Sequence, residues 1–173
     1  MGKQTKTNAM RALENVGAEY VARTWDATEA LSGIEVADLL GVDPDRAFKT
    51  LVTVGKSGEH YVFMIPVAEE LDLKKAAESV GEKSVEMIKT KELFPLTGYV
   101  HGGCSPLGMK HSFVTTIDET AILFETIYFS GGRIGCQIET SLEALQSAMP
   151  VNVADITRPM APGGRKKTDR SRR

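Results

Sequence analysis

Three short segments of this sequence carry residues suited to chemistry, and the first is a glycine-rich loop. It runs from Gly102 to Gly108 and reads Gly-Gly-Cys-Ser-Pro-Leu-Gly. Glycine lets a backbone approach a ligand closely, while proline fixes the direction of the chain beyond it. Such a loop can present several N–H donors to one carbonyl or oxyanion. By itself, the same sequence is equally typical of an ordinary turn.

The second segment, Phe48 to Val54, has the alternating pattern that predicts a strand, and it contains a lysine. One interpretation is that Lys49 extends outward and keeps its ammonium in water. The alternative is a cation at the base of a pocket, where a low dielectric strengthens its attraction for phosphate or carbonyl oxygen. Thr50 points to the opposite face of the strand, but its backbone stays near the same place.

The third segment, Ser130-Gly131-Gly132, follows the apolar residues Ile127 to Phe129. It is typical of a hairpin turn. Gln137 and Glu139 then alternate with Cys136 and Ile138, which gives the next strand one polar face. These two glycine turns, the strand lysine and the polar strand predict a single pocket only if folding brings them together.

Several other kinds of site are disfavoured. Gly103 and Gly108 have the spacing of a phosphate-binding loop, but Met109 follows where such a loop needs lysine and then serine or threonine. Cys104 lies three residues after His101, which leaves open a thiol–imidazole hydrolase, although a packed and inert cysteine is the simpler interpretation. With two cysteines and three scattered histidines, we predict no metal and no cofactor.

The pattern of helix and strand signals predicts an α+β fold, with a mixed, largely antiparallel, barrel-like sheet flanked by helices. Asp72 is expected to cap one helix, and Thr140 with Glu143 to form the capping box of the last one. The predicted helices cover residues 8–16, 34–40, 72–80 and 141–149. The predicted strands cover residues 19–25, 48–54, 61–66, 85–88, 112–117, 121–128, 135–138 and 151–156.

Composition places the chain among globular proteins. Its 173 residues are 42% hydrophobic, which suits one domain, here assigned to residues 1–159. No apolar run approaches the ~20 residues of a membrane helix, and the polar N-terminus lacks a signal-peptide pattern, so we expect a cytoplasmic protein with no membrane partner. Residues 160–173 hold six basic residues and one acidic, a charge of +5 against −7 for the rest. This tail is expected to be disordered, or to serve as an arm that attracts RNA phosphates.

Taken in order, these segments resemble the YbaK/EbsC family of aminoacyl-tRNA editing proteins. The resemblance runs from Asn8 to about Asp155, and the basic tail lies outside it. Each motif is common by itself, and their order is what makes the match specific. The motifs are Phe48-Lys49-Thr50-Leu51, Leu71-Asp72-Leu73-Lys74-Lys75, Thr97-Gly98-Tyr99, the Gly102–Gly108 loop, Ile127-Tyr128 and Ser130-Gly131-Gly132.

The resemblance implies a mixed, barrel-like sheet wrapped by helices. It also implies a free-standing deacylase that hydrolyses the ester between a wrong amino acid and the 3′ end of a tRNA, most often Cys-tRNA(Pro) and also Cys-tRNA(Cys). The family uses neither a metal nor a protein nucleophile, because the thiol of the substrate attacks its own ester. The implied partner is prolyl-tRNA synthetase, in a ternary complex with tRNA. Two alternatives stay open: a deacylase for another small misacylated amino acid, and a non-catalytic module that binds aminoacyl-nucleotides.

Carried over by position, Lys49 is the expected catalytic residue. The amides of Gly102 and Gly103 would hold the ester carbonyl. The expected substrate-binding set also contains Trp25, Thr50, Ser105, Pro106, Ser130, Gly131 and Gln137. The sequence departs from the family at three places: members often carry aspartate where Gln137 stands, tyrosine in place of Trp25, and phenylalanine near Leu31-Ser32.

Overall fold

Short helices pack around open β-sheets in a computed structural model of the chain, which describes residues 5–160. The α-helices are α1 (Asn8–Asn15), α2 (Gly33–Leu40), α3 (Leu73–Val80), α4 (Thr90–Thr97) and α5 (Leu142–Ala148), with 3-10 turns at Pro44–Arg46 and Glu119–Leu123. The strands are β1 (Val21–Thr24), β2 (Phe48–Gly55), β3 (His60–Pro66), β4 (Glu69–Leu71), β5 (Val85–Met87), β6 (Val114–Asp118), β7 (Ile127–Ser130), β8 (Cys136–Thr140), β9 (Asn152–Ala154) and β10 (Thr157–Pro159). The predicted basic tail lies outside the described residues, apart from Met160.

The largest sheet has five strands in the order β5-β2-β3-β6-β9. Its β5, β2 and β3 are antiparallel, whereas β6 and β9 are added in parallel. A second, antiparallel sheet has the order β1-β8-β7, and β4 pairs with β10. An isolated bridge between Ala47 and Tyr128 joins the first sheet to the second. The α+β class with largely antiparallel pairing is confirmed, and the sheets built by residues 5–160 are open.

The core lies on both faces of the five-stranded sheet. Phe48 and Met64 point into a cluster with Phe129 and Ile138, which α1 and α5 cover. Phe63 and Ile65 point to the opposite face, where the alanines of α3 and Val85 of β5 pack. Because β3 is buried on both sides, its sequence is a continuous apolar run rather than an alternating one.

Local capping interactions set the helix boundaries, and the predicted cap at Asp72 is confirmed. Asp72 caps α3, since its carboxylate accepts the backbone N–H groups of Lys74 and Lys75. Gly41 and Gly81 end α2 and α3 in the left-handed conformation. The predicted cap of α5 is wrong by one residue: Ser141 accepts the N–H of Ala144, whereas the Thr140 hydroxyl donates to the carbonyl of Glu19.

Two further corrections concern elements. The expected strand over residues 121–128 is instead a 3-10 turn followed by β7, because Asp118 accepts the N–H of Thr120 and starts a turn. Helix α4 was not predicted, since Pro95 within it is a residue that normally breaks a helix. The short strands β4 and β10 were also missed. No helix within residues 5–160 has the length and apolar character needed to cross a bilayer.

Candidate functional site

A cavity of about 450 Å³ runs along one edge of β2. Strand β5 pairs with β2 only from Thr53 to Gly55, so residues 49–51 have β3 as their only paired strand. These three residues line the cavity together with Phe48 and Val52. Because consecutive residues point to opposite faces of a strand, the cavity must follow the strand edge, where side chains from both faces reach it.

The open edge also exposes backbone groups. The N–H of Ile88 donates to the carbonyl of Val52, so that carbonyl points away from β3. Backbone direction alternates along an antiparallel strand, and therefore the N–H and C=O of Thr50 also point away from β3, towards the cavity. A ligand in the cavity can thus use Thr50 as a backbone donor and acceptor.

Lys49 lines the cavity and is partly buried. Burial lowers the pKa of its ammonium below the ordinary lysine value, although the carboxylates of Glu70 and Glu69 act in the opposite direction. None of the ion pairs found within residues 5–160 involves Lys49. A cation held in this way is available to a negatively charged or strongly polarised ligand oxygen.

Two polar side-chain atoms at the cavity have no hydrogen-bond partner among the described residues. They are the Thr50 hydroxyl oxygen and the Gln137 amide oxygen. Gln137 is only 8% exposed. Burying a polar group without a partner is costly, so such atoms mark places where a bound ligand can complete the hydrogen bonding.

The first two glycines of the loop have different roles at the cavity. Gly102 lines it and has φ +88°, a conformation that favours glycine. Gly103 is buried against the next hairpin, where a Cβ atom would lie 2.9 Å from the backbone of Arg133. The Gly103 N–H donates to the carbonyl of Val100 at 2.9 Å, so this amide already has a partner. The geometry favours Gly102 as the ligand-facing residue and Gly103 as the packing residue.

The hairpin from β7 to β8 supplies the opposite wall. Ser130 pairs with Gln137 in the antiparallel register, and both line the cavity. Gly131 is buried, and a Cβ atom there would lie 2.5 Å from the Cys136 sulfur. Its role is therefore to let the hairpin turn closely over Cys136.

The structure brings five of the predicted site residues to one cavity: Lys49, Thr50, Gly102, Ser130 and Gln137. The other five, Trp25, Gly103, Ser105, Pro106 and Gly131, are absent from its lining. Ser105 is fully buried and accepts the N–H of Leu107, so it shapes the loop. Pro106 lines a separate cavity of about 580 Å³. The backbone N–H of Trp25 donates to the carbonyl of Gly135.

Cys104 lines the cavity but is poorly suited to act as a nucleophile. It is 9% exposed, and burial raises the pKa of its thiol to about 12. The thiol is therefore protonated at neutral pH, whereas a nucleophilic cysteine needs its thiolate. This argues against a hydrolase built on Cys104 and His101, although His101 also lines the cavity.

Sequence reasoning missed the third wall, formed by α2, β5 and α4. Gly33 and Val36 come from α2, Met87 from β5, and Thr90 with Leu93 from α4. A Cβ atom at Gly33 would lie 2.4 Å from a Val67 methyl group, which explains the glycine at the start of α2. The signal for this wall was weak, because α4 contains a proline and its apolar residues are few.

A cluster of charges joins β8 to β1 and to the 3-10 turn at Pro44–Arg46. The Glu139 carboxylate pairs with Arg23 at 3.0 Å and with Arg46 at 3.7 Å. Both guanidinium groups lie over the Tyr128 ring, 5.5 and 5.3 Å from its centre. Although burial opposes it, hydrogen bonding from Thr126, Tyr128 and Arg23 lowers the pKa of Glu139. Glu139 is two residues from Gln137 on β8, so the two side chains lie on the same face of the strand.

Known proteins resemble this chain in sequence. The aminoacyl-tRNA editing domain family matches residues 28–148. A protein of Enterococcus faecalis, EbsC, provisionally named as a Cys-tRNA(Pro)/Cys-tRNA(Cys) deacylase, is 45% identical over 155 residues, covering 89% of this chain and 94% of that protein. A proline–tRNA ligase of Pelobacter propionicus is 31% identical over 101 residues, which is 58% of this chain and 18% of the ligase.

A solved structure gives the same result for the fold. It is provisionally described as a trans-editing enzyme for prolyl tRNA synthetase, and it is 26% identical to this chain. The superposition has a TM-score of 0.75 and covers 90% of this chain and 99% of the other.

Proposed function

The chain belongs to the aminoacyl-tRNA editing domain family, and we propose that it clears cysteine from mischarged tRNA(Pro) as a free-standing deacylase. Its reaction class is the hydrolysis of an aminoacyl-tRNA ester. A synthetase separates amino acids of similar size by only ~1–3 kcal/mol, so a second, hydrolytic step is a physically reasonable way to restore accuracy.

The observation that carries the proposal is the meeting of Lys49, Thr50, Gly102, Ser130 and Gln137 around one cavity. They combine a cation, an exposed strand edge, a glycine turn and two buried polar atoms, the Thr50 hydroxyl oxygen and the Gln137 amide oxygen, that have no partner within residues 5–160. An aminoacyl ester needs these groups: donors for its carbonyl oxygen and ribose hydroxyls, and acceptors for its ammonium. The cavity volume of about 450 Å³ suits a small amino acid with part of its ribose.

Catalysis by this site consists mainly of positioning. The substrate's own thiol attacks its ester carbon, so that the S–C bond forms while the C–O bond to the ribose breaks. The thiol proton ends on the released ribose oxygen, and water then opens the cyclic thioester to free cysteine. The Gly102 amide and the Lys49 ammonium are suited to stabilise the negative charge that develops on oxygen. No protein nucleophile is needed, which fits a Cys104 thiol that stays protonated.

The substrate is an aminoacylated tRNA, and we propose that prolyl-tRNA synthetase supplies it within a ternary complex. A cavity of this size contacts only the end of the tRNA, so it cannot by itself select tRNA(Pro). Docking on the synthetase would provide that selection. A pull-down of the synthetase with and without tRNA(Pro) tests this, and the complex is expected only when tRNA is present.

A deacylation panel tests the function. Cys-, Ala-, Ser- and Pro-charged tRNAs are incubated with the wild-type chain, and the cysteine ester is expected to be cleaved fastest. Cys104→Ser is expected to retain the wild-type rate. Preference for alanine or serine esters would reject the thiol-assisted step. Loss of activity in Cys104→Ser would instead support a hydrolase that uses Cys104 as its nucleophile.

A further inference from the structure

The mouth of the cavity is bordered by exposed apolar side chains. Leu31 and Met87 line the cavity, yet they are 37% and 47% exposed. Phe94 is 58% exposed, the most exposed aromatic side chain among the large hydrophobic residues of the described chain. Several exposed apolar side chains grouped beside a site are a feature of recognition surfaces, whereas single ones are common on any protein surface.

Phe94 belongs to the same helix as two cavity residues. Thr90 and Leu93 of α4 line the cavity, and Phe94 follows Thr90 by four residues. Residues four apart lie on the same face of a helix, one turn from each other. Phe94 therefore lies one helical turn along α4 from Thr90 and next in sequence to Leu93, two residues of the cavity wall.

The exposed charges around the mouth of the cavity are two lysines and two glutamates. Lys89 and Lys91 flank Thr90 and are exposed. Glu92 is the nearest acid on the helix, and its carboxylate accepts the N–H of Lys89. Glu86 on β5 is also exposed. The start of α4 adds the partial positive charge of a helix N-terminus.

We propose that Phe94 is a stacking platform for an unpaired base at the 3′ end of the tRNA, with Leu31 and Met87 completing its apolar border. The inference rests on the proposed function, because an amino acid in the cavity stays bonded to a nucleoside that must emerge at this mouth. Bases stack on aromatic side chains with little sequence preference, and neighbouring lysines attract the phosphates between them.

The test compares a substrate that has a base with one that has none. Phe94→Ala is expected to raise the KM for Cys-tRNA(Pro) about tenfold, the usual scale for losing one base–aromatic stack. Cleavage of cysteine methyl ester should stay at the wild-type rate. Phe94→Trp should retain the wild-type KM, whereas Phe94→Leu should behave like alanine. Leu123→Ala, which removes a 73% exposed side chain elsewhere, is the matched control.

A second measurement does not depend on turnover. Uncharged tRNA with 2-aminopurine as its terminal base should lose fluorescence on binding the wild type and Phe94→Trp, but not Phe94→Ala. If this holds while no ester is cleaved, the platform stands and the proposed function fails. Equal KM values for wild type and Phe94→Ala would overturn the platform. So would leucine replacing phenylalanine without loss, or an effect of Phe94→Ala seen only with the synthetase present.

Discussion

Lys49 combines usefulness to a ligand with a cost to the fold. Its ammonium is partly buried beside the open edge of β2, and burial lowers its pKa against the pull of Glu70 and Glu69. A site that keeps a charge ready for a ligand leaves that charge poorly solvated when the ligand is absent. Functional sites commonly trade stability for activity in this way.

Lys49→Met should therefore stabilise the chain while removing activity. We expect a rise in Tm of about 2–4 °C, as ~1 kcal/mol gives at this size. The gain should be largest below the folded-state pKa of Lys49, where the lysine is charged in both states. It should shrink as pH rises through that pKa towards 10.5, because the unfolded chain then binds more protons. Thermal melts across this pH range check it, with exposed Lys83→Met as the control. A Tm that falls in Lys49→Met would contradict this view of the lysine.

Gln137 offers a second residue-level test, since its amide oxygen is buried without a partner among the described residues. Gln137→Met keeps the shape and removes the polar group. We expect the KM for Cys-tRNA(Pro) to rise roughly tenfold or more, as for a lost hydrogen bond to a charged group. Thermal stability should stay the same or improve. If Tm falls while KM is unchanged, Gln137 is a structural residue.

The sequence was informative about these residues because chemistry restricts their types. Lysine in a strand, glycine in a tight turn and glutamine on a buried strand all stand out from their surroundings. Sequence did not show that Gly103 donates its N–H within its own loop, or that Ser105 serves the loop. Those facts depend on distances between atoms, and neighbouring residues of one motif can have opposite roles.

At the scale of elements, the site depends on how closely the glycine loop packs on the β7–β8 hairpin. Gly103→Ala would place its Cβ atom 2.9 Å from the Arg133 backbone and from the Ile134 nitrogen. Because backbone cannot rotate away, the loop must shift. We expect a loss of ~1–3 kcal/mol in stability and a fall in kcat/KM of at least tenfold, since Gly102 moves with the loop.

The control for this change is Gly17→Ala, which has positive φ but no atom within 4 Å of the new Cβ. It should lose some stability through strain and keep full activity in the same deacylation assay. Equal activity of Gly103→Ala and wild type would show that the position of the loop is unimportant.

The corrected cap of α5 gives a prediction about stability alone. Ser141→Ala should lower the free energy of unfolding by ~1 kcal/mol, because Ser141 accepts the N–H of Ala144. Ser141→Gly should cost only a few tenths. Urea unfolding measures both, and equal losses from the two would show that the hydroxyl is not the cap.

Most elements could be predicted because their signals are local. Asp72, Gly41 and Gly81 mark helix ends through bonds and conformations within one turn. The prediction of a strand over residues 121–128 is wrong because their apolar run is typical of a strand, whereas the side chain of Asp118 starts a turn there. Helix α4 contains Pro95, so its local sequence disfavours a helix, and the helix forms through packing beside the cavity.

For the whole molecule, the α+β class followed from irregular mixing of helix and strand signals. The pairing of β3 with β6 and of β6 with β9 in parallel could not be predicted, since it joins segments far apart in sequence. The site residues meet around one cavity because of this strand topology. The free edge of β2 exists only because β5 covers three residues of it.

The uneven charge of the chain gives a prediction at this scale. A chain that ends at Pro159 loses residues 160–173, with their charge of +5, and should cleave cysteine methyl ester as the full chain does. Its affinity for tRNA should fall, and more at low salt than at high salt, because screening already weakens the attraction. Filter binding at two salt concentrations measures this. Unchanged affinity at low salt would mean that the tail plays no part.

The central claim is that an aminoacyl ester is cleaved at the Lys49 cavity. The most direct measurement is the rate at which labelled Cys-tRNA(Pro) loses its cysteine in the presence of wild type, Lys49→Ala or Lys83→Ala. We predict rapid loss of cysteine with wild type and Lys83→Ala. With Lys49→Ala we predict a deacylation rate lower by ~10²–10³, the scale for removing one charge-stabilising group. Equal rates for wild type and Lys49→Ala, whether fast or at background, would contradict it.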